Sequence, residues 1–170
     1  NLLSSSIKVM NPVWDTETET EDMAFNKALS SAIDILKSHI DHANAAVRAK
    51  DLLLENYFGG ELLIMDKYLP WLGTVLDDEK FKDVLFAIYP SNRHPGGYNV
   101  QTVPKNAGSM VEKRAYFPEE WLGHEDPDRG IHFAHTSNYM IGCDSKEQAI
   151  QCAEEAIEAG KANAKVVCSV

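Results

Sequence analysis

Apolar residues recur at steps of three or four between residues 23 and 55, a stretch otherwise rich in polar side chains. This spacing puts them on one face of an α-helix, so it predicts a long amphipathic helix early in the chain. Thr18 and Glu21 stand in capping-box register at its beginning, and the pair Gly59-Gly60 predicts its end. The repeating residues are Phe25, Leu29, Ile33, Leu36, Ile40, Ala43 and Val47.

Shorter apolar runs that carry β-branched and aromatic residues predict strands in the middle of the chain. Residues 61–65 form one such run, and residues 84–89 and 98–103 flank a connection rich in proline and glycine. The latter two runs predict a β-hairpin with a long loop, because glycine supplies the positive φ that a turn needs. Residues 131–135 and 139–141 predict two further strands.

The two ends of the chain carry shorter patterns. The run at residues 7–10 predicts a first strand. Ser145, with Gln148 three residues later, predicts the start of a final helix. Gly160 predicts the end of that helix, and residues 166–168 predict a last strand.

The order strand, long helix, several strands and helix favours an α+β fold. We expect a mixed or antiparallel sheet with the long N-terminal helix and the C-terminal helix packed on it. The chain has 170 residues, of which 44% are hydrophobic and 25% charged. These totals are typical of a globular protein with one core, so we expect a single domain over residues 1–170.

Charge and cysteine content restrict the classes of function. The formal net charge is -10, which argues against non-specific nucleic-acid binding, because lysine and arginine supply the phosphate contacts. No apolar run approaches the roughly 20 residues of a membrane span, so we expect no membrane partner. The three cysteines form no CxxC pair, which favours reduced thiols in an intracellular protein. We expect the cytoplasm, or the nucleus or mitochondrion if the source is eukaryotic.

The loop of the predicted hairpin is the first candidate for chemistry. It carries Arg93 and His94 beside Gly96 and Gly97, and Lys105 follows the second strand. A cationic, glycine-rich loop with free backbone N–H groups could cradle an anion. Taken alone, however, the loop reads more simply as a solvated turn whose charges are incidental.

Two histidine pairs are candidate metal ligands. His132 and His135 lie on a predicted strand three residues apart, so their side chains point to opposite faces and share an ion only if the strand bulges. His39 and His42 share a helix face, but their neighbours supply no third ligand. No GxSxG, P-loop, GxGxxG or HExxH motif is present. The residues themselves therefore predict no catalytic constellation and no metal site.

Several phrases, taken in order, resemble the C-terminal half of the melanocyte-proliferating-gene family, described as metal-dependent protein hydrolases. That family is a branch of the DHH phosphoesterase superfamily. The phrases cover nearly the whole chain. They are Asn11-Pro12-x-Trp14, Gly60-Glu61 with the strand ending at Asp66, Leu69-Pro70-Trp71, the run 98–104, Pro118-Glu119-Glu120-Trp121-Leu122-Gly123, and Phe133-x-His135-x-x-x-Tyr139-x-Ile141-Gly142.

The resemblance implies that the chain is the C-terminal, substrate-binding half of a larger hydrolase, and a start at Asn1 rather than methionine fits that view. In the superfamily, the metal site with its Asp-His-His signature lies in the N-terminal domain. We therefore carry over no catalytic residue and no metal ligand, and we expect Mn or Mg in that absent domain. The family is linked to 3′–5′ exonuclease action on RNA. Its superfamily's Gly-Gly-Gly-His substrate motif is missing, since Gly96-Gly97 preceded by His94 does not match it.

The leading hypothesis is a domain that closes over a phosphodiester substrate and is inactive alone. Its expected partners are the N-terminal catalytic domain of the same protein and RNA or a nucleotide. Tyr98 or Tyr139 would stack on a base, a contact worth about 1–3 kcal/mol in single-strand binders. The residues expected to line one binding face are Arg93, His94, Gly96, Gly97, Tyr98, Gln101, Lys105, Arg114 and His135.

Two other hypotheses stay open. The first is a non-catalytic structural or oligomerisation module, in which the helix over residues 23–55 packs against a symmetry mate in a homodimer. The second is a free-standing hydrolase that uses an ion whose ligands the sequence does not reveal.

Overall fold

The computed structural model describes residues 2–15, 20–109 and 111–167. The chain divides into two compact units, Asn1–Arg48 and Ala49–Val170. The single domain expected over residues 1–170 stays a prediction. Within the described ranges, no helix is both long enough and apolar enough to cross a bilayer.

The first unit is helical. Helix α1 spans Leu2–Lys8, and helix α2 spans Glu21–Asn56, so its last turns belong to the second unit. The predicted strand at residues 7–10 is wrong, because Ile7 and Lys8 end α1 and a turn follows. A four-residue apolar run does not by itself distinguish a strand from a helix.

The long amphipathic helix is confirmed. The backbone N–H of Met23 donates to Thr20 Oγ1 at 3.3 Å, so Thr20 caps the first turn, whereas the predicted cap Thr18 lies outside the described residues. The apolar stripe on α2 is largely exposed. Its large members are 42–66% accessible, namely Phe25, Leu29, Ile33, Leu36, Ile40 and Val47.

The second unit contains a five-stranded mixed sheet in the order β1-β2-β3-β5-β4. The strands are β1 (Leu62–Ile64), β2 (Phe86–Pro90), β3 (Tyr98–Thr102), β4 (Ile131–Ala134) and β5 (Met140–Cys143). Strands β1 and β2 are parallel, and the other neighbours are antiparallel. The predicted α+β class and the hairpin of β2 and β3 are therefore confirmed.

A short helix, α3 (Leu72–Asp77), precedes the hairpin, and helix α4 (Lys146–Val167) follows the sheet. The backbone N–H of Gln148 donates to Ser145 Oγ at 3.2 Å, as the capping pattern predicts. Helix α4 continues through Gly160 to Val167, so the predicted end and the predicted last strand are wrong. A glycine costs a helix roughly 1 kcal/mol but does not stop it where alanine and lysine follow. Cys168 lies outside the described residues.

The two faces of the sheet have different environments. Helix α4 covers one face, where fully buried apolar side chains of β2, β3 and β5 meet Ala149, Ala153 and Ala156. On the other face, β1 and β2 pack against the end of α2, α3 and the segment after it. Among the described residues of the second unit, no helix packs on the rest of that second face, which we call the open face. Its register-paired positions are Asn99, Gln101, Phe133, Met140 and Gly142.

Candidate functional site

A row of three hydrogen-bonded polar side chains crosses the open face. Gln101 on β3 is buried at 6% exposure, and its Oε1 accepts a hydrogen bond from the Tyr89 hydroxyl at 2.6 Å. Its Nε2 donates to the Tyr139 hydroxyl at 2.8 Å. Because Gln101 uses the lone pair of the Tyr139 oxygen, the Tyr139 proton is left to donate outward, and this ring is 41% exposed. Desolvation raises the pKa of Tyr89, which keeps its hydroxyl protonated as the donor.

His135 stands beside this row with a defined ring orientation. Its Nδ1 accepts the backbone N–H of Ser137 at 3.1 Å and lies 2.8 Å from the Ser137 hydroxyl. A backbone N–H can only donate, so Nδ1 carries no proton and the neutral ring has its proton on Nε2. The ring makes edge contacts with Phe133 and Tyr139, at centroid distances of 6.2 and 6.1 Å. His135 therefore presents an N–H donor between two aromatic rings.

The turn between β4 and β5 holds His135 and Tyr139 in place. Asn138 has a φ of 55°, and its buried amide both donates to and accepts from the Phe117 backbone at 2.8 Å. The Lys113 ammonium donates to the Asn138 carbonyl at 2.6 Å, and desolvation lowers the Lys113 pKa. Asparagine tolerates a left-handed backbone better than most residues. Hydrogen bonds from Phe117 and Lys113, outside the turn, therefore fix its conformation.

A second cluster joins three separate segments at the other end of the open face. Strand β4 bulges between Ile131 and Phe133, so His132 leaves the regular alternation. Its Nδ1 lies 3.1 Å from Asp144 Oδ1, and His94 Nε2 from the hairpin loop lies 3.5 Å from the same oxygen. The two imidazole rings stack with centroids 4.0 Å apart. The strand thus bulges, and the residues it brings to His132 are His94 and Asp144.

The hairpin loop uses much of its own hydrogen-bonding capacity. Ser91 Oγ accepts the backbone N–H groups of Arg93 and His94 at 3.3 and 3.2 Å. The N–H of Gly97 donates to the His94 carbonyl at 3.0 Å, and Gly96 has a φ of 84°. Three N–H groups of the expected anion cradle are therefore engaged within the loop. The Arg93 side chain remains exposed to solvent, whereas the His94 ring stacks on His132 and faces Asp144.

Arg114 does not join the open face. Its guanidinium donates to backbone carbonyls at 2.7–3.2 Å around α3 and the turn that follows. Carbonyls near the end of a short helix lack partners of their own, and a cation satisfies them. Desolvation lowers the Arg114 pKa. The four carbonyls belong to Val75, Phe81, Lys82 and Val84.

Two other predicted site residues also lie elsewhere. Tyr98 pairs with Cys143 and packs against the core beneath α4, on the face opposite Gln101. Lys105 is exposed beyond the far end of β3, so roughly 17 Å of strand separates it from Gly97. The structure thus gathers part of the predicted set around the open face: Arg93, His94, Gly96 and Gly97 of the hairpin loop, with Gln101 and His135.

Two grooves border the open face. One, of about 330 Å³, is lined by Tyr68, Tyr89, the hairpin loop through Arg93, Asn99 and Met140. The other, of about 400 Å³, runs beside β4 and is lined in part by His124, Phe133 and His135. A larger cavity of about 880 Å³ lies beside α4, and it is lined by the carboxylates of Glu61, Glu119 and Glu120 and by Arg114 and Lys161. Both cations are already engaged, because Arg114 donates to backbone carbonyls and Lys161 pairs with Glu61 at 2.8 Å.

Sequence reasoning included Gln101 but missed its neighbours Tyr89, Asn99 and Phe133. The polar pair Asn99 and Gln101 stands at alternate positions of an otherwise apolar strand, and this signal could have marked the open face. No spacing rule links His94, His132 and Asp144, because they come from a loop, a bulge and a strand end. Their meeting depends on the order of strands in the sheet.

Comparison with known proteins gives a consistent family match. The family model MYG1_exonuc, described as "Uncharacterised protein family (UPF0160)", matches residues 1–157. MYG1 protein C694.04c of Schizosaccharomyces pombe is 26% identical over 86% of the chain and 50% of its own length. The MYG1 protein of Dictyostelium discoideum is 24% identical over 87% of the chain and 50% of its own length. The chain therefore spans about half the length of these relatives, and no solved structure gives a significant match.

Proposed function

The chain belongs to the MYG1_exonuc family, and from that premise we propose that it is the substrate-binding half of a metal-dependent phosphoesterase. The family label supports exonuclease-type chemistry. The proposal goes further, to a C-terminal domain of the DHH type that closes over a phosphodiester in 3′–5′ exonuclease action on RNA. Its match to half the length of the MYG1 proteins supports a division of labour between two halves.

The observation that carries this proposal is the grouping of outward donors and aromatic rings on the open face. His135 Nε2 and the Tyr139 hydroxyl are both left with a proton to donate, and Arg93 stands at the edge of the neighbouring groove. Phosphate oxygens accept such hydrogen bonds, and Arg adds charge-assisted ones. The exposed rings of Phe133 and Tyr139 offer surfaces on which a base can stack.

In this proposal the hydrolytic metal, Mn or Mg, is held by an N-terminal catalytic domain of the same protein. That domain is the proposed partner, and the substrate is RNA or a nucleotide. The donor groups of the open face would orient the phosphodiester, and the partner domain would supply the attacking water. The proposed setting is intracellular, which suits the buried free thiols of Cys143 and Cys152.

Binding of a fluorescent single-stranded RNA, followed by anisotropy, tests the proposal. We expect His135→Ala to weaken binding about tenfold, because one charge-assisted or aimed hydrogen bond is worth about 1.5 kcal/mol. His39→Ala, an exposed histidine on α2, is the matched control and should bind as the unaltered chain does. Equal affinities of all three proteins would contradict the proposed role of the open face.

A nuclease assay with and without Mn²⁺ separates this proposal from a free-standing hydrolase. The 170-residue chain should not cleave RNA under either condition. Metal-dependent turnover by this chain alone, abolished by EDTA, would show that the catalytic centre lies within it.

A second candidate function, a homodimerisation module, is favoured by the exposed apolar stripe of α2. Leu36 is 60% exposed and Ile40 is 50% exposed on the same helix face. Apolar surface of this kind is often covered by a partner, and a second copy of the chain offers the same stripe. Sedimentation equilibrium should then find a dimer that Leu36→Asp converts to a monomer. A strict monomer at high concentration would exclude this role.

A further inference from the structure

We propose that His94, His132 and Asp144 bind one divalent transition-metal ion of the Zn²⁺ class. This site is separate from the hydrolytic metal that the proposed function places in the N-terminal half. One ligand atom from each residue already lies within 4.8 Å of the other two. Three segments of the second unit bring its members together, namely the hairpin loop, strand β4 and the residue that follows β5.

The distances fit the size of such an ion. Zn²⁺ bound to nitrogen and oxygen at about 2.0–2.1 Å separates tetrahedral ligand atoms by about 3.3 Å. The distances from Asp144 Oδ1 to His132 Nδ1 and to His94 Nε2 are 3.1 and 3.5 Å. Both imidazoles thus converge on one carboxylate oxygen at nearly the required spacing. The two imidazole rings stack at a centroid distance of 4.0 Å with 16° between their planes, so one ring must turn out of the stack before both nitrogens can bind one ion. The His94 side chain, 45% exposed at the edge of its loop, has the space to make that turn.

The backbone leaves space for both rings. A Cβ added to Gly97 would lie 2.7 Å from Cδ2 of His94, and one added to Gly142 would lie 2.6 Å from Nε2 of His132. Any larger residue at either position would displace a ring from the cluster. The bulge in β4 contributes as well, because it turns His132 over Gly142 instead of leaving it in regular alternation.

The donor set defines the class of ion. Two neutral imidazoles and one carboxylate suit Zn²⁺ and its first-row neighbours, whereas Mg²⁺ and Ca²⁺ prefer oxygen ligands alone. Three protein ligands leave a fourth position open for water or an anion. The competing interpretation is an ion pair in which protonated histidines share Asp144 and no metal enters.

Calorimetric titration of the EDTA-treated 170-residue chain with ZnCl₂ distinguishes the metal site from the ion pair. We expect one Zn²⁺ per chain, and at least tenfold weaker binding for His94→Ala, His132→Ala and Asp144→Asn. His42→Ala, which removes an exposed histidine on α2 outside the cluster, should leave the affinity within twofold. MgCl₂ should give no binding at the same concentrations.

Cobalt provides a second readout that does not depend on heat signals. Co²⁺ at this site should give visible d–d absorption bands that Zn²⁺ displaces and that His94→Ala removes. His94 lies in a surface loop, so this variant should keep the far-UV circular dichroism of the unaltered chain. Failure of the unaltered chain to bind Zn²⁺ with a dissociation constant in the micromolar range or below would overturn the proposal. So would binding that all three ligand variants leave intact. The RNA-binding result is independent of either outcome.

Discussion

The side chains on the two faces of the sheet in the second unit have different roles. Beneath α4, Phe86, Ile88, Val100 and Ile141 are all 0% exposed and contribute nothing but packing. On the open face, Gln101 is also buried, at 6% exposure, and its neighbours satisfy its amide through defined hydrogen bonds. The covered face thus specifies the fold by apolar burial. The open face holds polar groups in fixed orientations, which is what recognition of a ligand requires.

Truncating one phenylalanine from each face measures the difference directly. Phe86→Ala should lower the free energy of unfolding by about 3–5 kcal/mol, because it leaves a cavity in a closed core. Phe133→Ala should cost less than about 1 kcal/mol, since this ring is 44% exposed. Urea denaturation of both variants gives the comparison. Equal losses would mean that the open face is also part of the core.

Arg114 is a predicted binding residue, and its substitution tests whether it stabilises the fold instead of binding substrate. Arg114→Ala removes a cation that holds four carbonyl oxygens, so it should cost about 2–3 kcal/mol of stability. Lys105→Ala, an exposed cation nearby in sequence, should change stability by less than about 0.5 kcal/mol. The RNA affinity of folded Arg114→Ala should be unchanged. A large loss of affinity would show that Arg114 contributes to RNA binding.

Asn138 tests whether the open face depends on its supporting turn. Asn138→Ala should lower the free energy of unfolding by about 2 kcal/mol. It leaves the backbone N–H and carbonyl of Phe117 without their partners and places alanine at a positive φ. Asn138→Gly relieves the backbone strain but not the lost hydrogen bonds, so it should cost less. A reversed order of the two variants in thermal unfolding would show that the backbone conformation is not the controlling feature.

Alkaline pH probes the buried tyrosine of the open face. Burial raises the Tyr89 pKa, so the unfolded chain ionises this phenol near pH 10.0 while the folded chain keeps its proton. Stability is therefore fully present below pH 10 and falls as the pH rises, by at most about 1.4 kcal/mol per pH unit. Tyr89→Phe should flatten this decline in urea titrations between pH 9 and 11. An unchanged slope would contradict the assignment to Tyr89.

The elements with strong periodicity could be predicted from the sequence. Helix α2, the hairpin and the α+β class follow from spacing and turn residues alone. The errors came at the ends of the chain, where short apolar stretches fit both a helix and a strand. Gly160 illustrates the same limit, because a helix continues through a glycine when its other residues favour it.

The candidate site was harder to predict because it depends on tertiary placement. His94 in a predicted loop and His135 at a predicted strand end lie around the open face together with Gln101, which belongs to the predicted strand 98–103. Tyr98 and Arg114 were included for their chemistry, but strand register and free carbonyls place them elsewhere. The contact of His132 with Asp144 depends on a bulge in β4 that no sequence pattern predicts.

Chemical-shift mapping of the labelled chain with a short single-stranded RNA tests the central claim most directly. We expect the amide and side-chain signals of Gln101, His135 and Tyr139 to shift on titration, together with those of Arg93. Signals from α4 and the face beneath it should stay in place. Shifts confined to α4, or no shifts at millimolar RNA, would contradict the assignment of substrate binding to the open face.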